Sequence, residues 1–193
     1  MKKFLSLFAF VGLLAVGANA QGISGGVKLG MNLANQTISA DGFTVSPSFR
    51  TSIHAGGYVT VMVSERFGVQ PEILYSGQGA KNGSYSFKAN YISVPVLLRL
   101  NFTPVFSVHA GPQIGIMMSA KEEIEGGGES VDVKDDYKST DVGVAAGLGV
   151  DLPMGLNFGF RFVKGMTNIA DTDNYKQKNY ALQFSVGYKL FGK

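Results

Sequence analysis

The chain of 193 residues contains no cysteine and two histidines, and Asp, Glu, Lys and Arg together make up only 16% of it. Without cysteine there is no disulfide framework, no thiol nucleophile and no cysteine-based metal site. His54 and His109 are the whole supply of imidazole, which leaves little for histidine-dependent catalysis. Sparse charge with 45% hydrophobic residues excludes long-range disorder, which needs the opposite balance. Gly77-Gln78-Gly79 through Gly83 opens no helical pattern and lacks a Lys-Ser/Thr ending, so it is a turn-rich loop rather than a phosphate loop. Beyond the first 20 residues no apolar run approaches the ~20 residues of a membrane-spanning helix. The longest, Val94 to Leu98, is interrupted by Pro95.

Those first residues read as a targeting segment. Lys2 and Lys3 precede the apolar run Phe4 to Val16, and Ala18-Asn19-Ala20 supplies a small-x-small cleavage site. Residues 1–20 are therefore expected as a cleaved signal peptide and residues 21–193 as one domain. Losing Lys2 and Lys3 lowers the formal charge from +3 to +1, so no nucleic-acid partner is expected.

What the sequence does have is glycine, 26 residues in all, and alternation. Nothing after residue 20 sustains a helical period, whereas period two recurs over segments of about 10 residues. In the last, Tyr180, Leu182, Phe184, Val186, Tyr188 and Leu190 share a face opposite Asn179, Ala181, Gln183, Ser185, Gly187 and Lys189. The same pattern runs through segments centred on Met31, Val61, Gln70, Val96, Ala110, Ala146 and Phe160, which makes eight candidate strands. Three connections are tight: Ser64-Glu65-Arg66, Thr103-Pro104-Val105 and Pro153-Met154-Gly155. The others are long and polar, near 36–50, 78–88, 119–140 and 165–177. Short turns on one rim and long loops on the other are the arrangement of outer-membrane barrels, and an even strand count puts both termini on the periplasmic side.

A soluble barrel also alternates, with its apolar face inside. Here the polar face is Gly, Ser, Asn and Gln with few charges, and the apolar face is nearly uncharged throughout. Aromatic residues also gather at the short-turn rim (Phe67, Phe102, Phe106, Phe158, Tyr188, Phe191), as an interfacial girdle does. The expected fold is all-β: an eight-stranded antiparallel up-and-down transmembrane barrel, monomeric, in outer-membrane lipid.

The segments FGVQPEILYSGQG (67–79), YISVPVLLRLNF (91–102), VHAGPQIGIM (108–117), GVAAGLGVDL (143–152) and FRFVKGMTNIA (160–170) together resemble the outer-membrane β-barrel domain widespread in Bacteroidetes, the PorT-like or "porin family" group. The resemblance covers essentially the whole chain after residue 20. It implies a Gram-negative outer membrane and a build similar to the small OmpX and OmpA barrels. The group's name-giving member serves protein secretion, and no residue here marks this chain as that member.

Eight strands enclose a lumen that side chains can fill. The inward set carries Lys28, Glu72, Arg99, Asp151, Arg161 and Lys189, and charges in such a space must pair or draw in water. Glu72 with Arg99 and Arg161 is expected at the centre of a plugging network, with a narrow ion path as the alternative. The longest loop carries Glu122, Glu123, Glu125, Glu129, Asp132, Asp135 and Asp136 against three lysines, with a pliable Gly126-Gly127-Gly128. A solvated surface loop is expected there, weak divalent-cation binding being the alternative; Asp171-Thr172-Asp173-Asn174 is a weaker candidate. No cofactor, resident metal or catalytic residue is expected. By strand direction His54 falls near the loop rim and His109 near the short-turn rim, so the two are not expected to share a site. A structural or surface-binding role through the loops, with an extracellular ligand or envelope protein as partner, is weighed against a narrow channel and an accessory part in secretion. A hydrolase-like use of His54 with Ser52 is the remaining alternative.

Overall fold

The computed structural model describes residues 22–40, 43–124, 130–172 and 175–192, and the expected signal peptide lies outside them. The strands are β1 (Gly22–Ala40), β2 (Phe43–Val45), β3 (Ser48–Met62), β4 (Phe67–Asn82), β5 (Tyr85–Asn101), β6 (Phe106–Ile124), β7 (Ser130–Asp132), β8 (Thr140–Asp151), β9 (Leu156–Gly165) and β10 (Lys176–Phe191). A single 3-10 turn spans Lys134–Asp136. All pairings between strands are antiparallel and run in chain order around a ring, except that β2 and β7 are short returns on the ends of β1 and β6. The remaining eight strands close on themselves where β1 pairs β10, from Gly25↔Phe191 to Ser39↔Lys176. Closure leaves no edge in the wall.

The alternation sets the two faces. Val27, Leu29, Met31, Ile73, Leu98, Val144, Phe160, Phe184 and Val186 are exposed on the outside, Leu98 at 69%. Asn32, His54, Gln70, Glu72, Gln113, Arg161 and Gln183 are buried inside. An apolar exterior around a polar interior suits a surrounding solvent that is hydrocarbon, not water. The aromatic residues expected at the short-turn rim are exposed there, Phe67 at 56% and Tyr188 at 51%.

Three features depart from the pattern-based expectation. The strands run to 19 residues, not ~10, because much of the expected loop sequence keeps pairing. The stretch 78–88, expected as a long loop, is a continuous hairpin in which Asn82↔Tyr85 flank Gly83-Ser84. Gly83 has φ +58, the left-handed conformation a two-residue hairpin turn requires. Turn-like composition gives way there because pairing buries Ala80 and Ala89. The 119–140 stretch, expected as a solvated loop, is likewise partly built: β6 runs to Ile124, β7 pairs back on it, and Ala120 packs with Ala89, Tyr91 and Met117.

The chain then folds over the loop-side mouth. Tyr137 bridges Ala170, Lys138 N–H donates to Ile169 O at 2.8 Å, and Met117 N–H donates to Ser139 O at 2.7 Å. Ile169 and Ala170 are completely buried. The described parts of these two connections, near Tyr137 and Ala170, are thus tied to each other at the loop-side end.

Candidate functional site in the barrel lumen

The lumen is stacked in layers. Nearest the short turns, Arg99 forms an ion pair with Asp151 and donates from Nη1 to Gln70 Oε1 (3.2 Å) and from Nε to Asn101 Oδ1 (2.9 Å). Thr60 Oγ1 also donates to Gln70 Oε1 at 2.9 Å, and Gln70 Nε2 donates onward to Glu72 Oε1 at 2.7 Å. Glu72 is the hub. Lys28 Nζ donates to its Oε1 at 2.7 Å, and the Arg161 guanidinium grips it bidentately with both N–H···O distances 2.9 Å. With Gln70 this fills the carboxylate's acceptor capacity, which a buried anion needs if it is to persist. Arg161 Nε donates to His109 Nε2 at 3.2 Å, and Lys28 Nζ also sits 5.2 Å from the centre of the Tyr58 ring.

Glycine makes room for these groups. A Cβ on Gly147 would lie 2.8 Å from His109 Nε2 and 2.2 Å from Phe160 O, and one on Gly30 would lie 2.4 Å from His54 Cε1. The inward glycines are thus the space into which the long polar side chains lean.

Toward the loops the network turns neutral. Asn32 Oδ1 sits 2.6 Å from His54 Nδ1 and accepts from Gln183 Nε2 at 3.0 Å, while Asn32 Nδ2 donates to Gly77 O at 2.7 Å. An apolar layer follows, in which buried Leu97, Ala145 and Val163 pack together. Above it Asn179 Nδ2 donates to Tyr91 Oη (3.1 Å) and Asp141 Oδ2 (2.9 Å). Gln36 Nε2 donates to Asn179 Oδ1 at 2.9 Å, and Gln177 Nε2 donates to Gln36 Oε1 at 2.8 Å. Among the described residues a cavity of about 30 Å³ lies at the charged level and one of about 10 Å³ beside Asp141.

The expected residues therefore divide into groups. Lys28, Glu72 and Arg161 meet directly. Arg99 meets Asp151, and not Glu72 as expected; it reaches the Glu72 group only through Gln70. Lys189 lines a separate vestibule of about 220 Å³ at the short-turn mouth and makes no ion pair among the described residues. His54 and His109 line the same 30 Å³ cavity, which corrects the expectation that they stand at opposite rims. β3 begins at Ser48, so His54 lies well inside the wall, not at its start. The alternation places His109 on the inward face, and the longer β3 carries the same period back to His54, which is also buried. Ser52 Oγ donates to Gly77 O at 2.7 Å and is not joined to His54.

The described acidic residues of the longest loop do not converge. Glu123 pairs with Lys88, Asp132 Oδ1 accepts from Lys134 N–H at 3.0 Å, and Asp135 and Asp136 lie in the 3-10 turn, while Glu122 is exposed on β6. Glu125, Gly126-Gly127-Gly128, Glu129, Asp173 and Asn174 lie outside the described residues. Among the described residues no three acidic or histidine side chains are grouped as metal ligands.

A closed antiparallel ring, apolar outside and hydrogen-bonded within, defines a transmembrane β-barrel. Residues 19–171 match the outer membrane protein beta-barrel domain family, and the chain belongs to it. Neisserial surface protein A has a similar fold, with 11% identity and a TM-score of 0.53 over 85% of this chain and 97% of that one. The attachment invasion locus protein Ail of Yersinia pestis aligns at 16% identity and a TM-score of 0.49 over 86% of this chain and 98% of that one. OprG of Pseudomonas aeruginosa aligns at 14% and 0.40 over 88% and 94%. No curated protein matches the sequence.

Proposed function

We propose that this outer-membrane barrel is a monomeric, plugged surface protein that works through its loop-side rim and does not pass solutes through its lumen. The observation that supports this most is the stack of charged, apolar and amide layers along the axis. The cavities left between them hold about one water each, too little for a continuous wet path. In the same reading the short turns and termini face the periplasm, the loops face the medium, and residues 1–20 are removed so that the chain starts at Gln21. Segments 67–79, 91–102 and 143–152 support placing it with the PorT-like barrels of Bacteroidetes.

Purified protein in planar bilayers tests the plug: silence is expected, whereas sustained single-channel openings would overturn it in favour of a narrow channel. Intact-mass measurement of protein from outer membranes tests the processing, with a mass beginning at Gln21 expected.

A further inference from the structure

The outer face of β9 and β10 carries charge where its apolar band ends. On β10 the outward positions from Tyr188 to Tyr180 make that band, and the next two on the same face are Lys178 and Lys176. On β9 Phe158, Phe160 and Phe162 lead likewise to Lys164, the direct cross-strand partner of Tyr180. Tyr180 marks the boundary: its ring contacts those of Phe49 and Phe162, with centroids 5.8 and 6.5 Å away. The flanking positions are uncharged, Val144 beside Lys164, and Asn35, Thr37 and Ser39 beside Tyr180, Lys178 and Lys176. Among the described residues none of these three lysines has an ion pair, whereas Lys88, at the loop end of β5, is neutralised by Glu123. The short-turn boundary of the same two strands ends in Leu156, Tyr188 and Leu190, and Lys189 there faces the vestibule. Outward bases thus stand at one end of the band and not at the other.

We propose that Lys164, Lys176 and Lys178 bind the phosphate-bearing headgroup of a lipid in the leaflet on the loop side. Hydrocarbon covers the wall as far as Tyr180, so lipid headgroups lie at the level of these lysines. Long basic side chains lay their stems along an apolar wall and hold the ammonium out to that layer. Three uncompensated positive charges favour an anionic headgroup over a zwitterionic one. Their position directly against the band favours a lipid, whose chains the band also covers, over a soluble anion. The inference goes beyond the plugged-barrel reading, since it concerns the outer wall and not the lumen.

Native mass spectrometry of the mature protein in non-ionic detergent tests it, with diphosphoryl lipid A as the probe and the same glycolipid stripped of phosphate as the comparison. A saturable one-to-one adduct is expected with the phosphorylated form, about tenfold or more tighter than with the other. Lys164→Gln should weaken it roughly fivefold, the contribution of one base at an anionic surface, and Lys164→Gln with Lys176→Gln and Lys178→Gln by roughly a hundredfold. Arg66→Gln with Lys134→Gln and Lys189→Gln removes as much charge elsewhere and should leave binding unchanged. Heat-modifiable gel mobility verifies that each variant is folded. Equal binding of both glycolipids, wild-type binding by the first triple variant, an equal loss in the second, or displacement of the lipid by excess inorganic phosphate would each overturn the assignment. A conducting barrel that still binds the lipid would sink only the plug, and a silent one that does not would sink only this site.

Discussion

The two halves of the lumen solve the same packing problem with different chemistry. On the short-turn side the space is filled by Lys28, Glu72, Arg99, Asp151 and Arg161, whose charges are satisfied by one another. On the loop side it is filled by Asn, Gln and Tyr side chains, an apolar layer, and the backbone that folds over the mouth. A salt-bridge hub is brittle, because removing one member leaves full charges buried without a partner. The amide ladder is forgiving, because its Asn, Gln and Tyr members are neutral and each contributes about one hydrogen bond's worth of stability; the Asp141 carboxyl joins it by accepting from Asn179 Nδ2.

Equilibrium unfolding in urea from lipid vesicles can break this contrast. Glu72→Gln, which leaves Lys28 and Arg161 facing each other without their anion, should cost about 3–5 kcal/mol. A loss under ~1 kcal/mol would mean that water or lipid phosphate reaches the hub. Gly147→Ala forces a methyl against His109 and the Phe160 carbonyl, and overpacking of that kind should cost about 1–3 kcal/mol. In the loop half, Tyr91→Phe removes one of the two acceptors of Asn179 Nδ2 and should cost about 1 kcal/mol. The sharpest contrast is the smallest effect. Replacing the whole hub in one variant, Lys28→Met with Glu72→Leu and Arg161→Met, should stay within about 1 kcal/mol of the parent, since apolar residues of similar volume substitute for buried ion groups. A triple variant as unstable as Glu72→Gln would show that the hub fixes the fold itself.

Period two is a local property, so it was legible. It gave the wall, the outward apolar face, and the inward face of Lys28, Glu72, Arg99, Asp151 and Arg161. What a residue meets across the lumen depends on the stagger between strands, which is fixed pair by pair around the ring, from β5 with β6 and β6 with β8 to the closure of β1 on β10. No short sequence window contains the registers of strands so far apart in the chain. Arg99 therefore meets Asp151 and not Glu72, and the start of β3 at Ser48 sets His54 inside the wall and not at the rim. Loop composition misled for a related reason. Gly79, Asn82, Gly83 and Ser84 have turn chemistry, yet most of that stretch pairs, because the partner strand lies two residues away. A loop-side recess lined by Tyr85 and Tyr175 had no sequence signal, since the two stand 90 positions apart.

That closure also sets the order in which the molecule can be made. β1 is hydrogen-bonded to the last strand over some fifteen positions, and Gln36 meets Asn179 across 143 residues of sequence. Until β10 has been synthesised and delivered, both flanking strands carry long unpaired edges with an apolar face, the condition that invites aggregation in water. Contacts this distant in sequence form slowly, because the intervening chain must be ordered before they repay its entropy. The joint between β1 and β10 is therefore the last event of assembly: a truncated or stalled chain is left as an open sheet that the periplasm must chaperone or degrade.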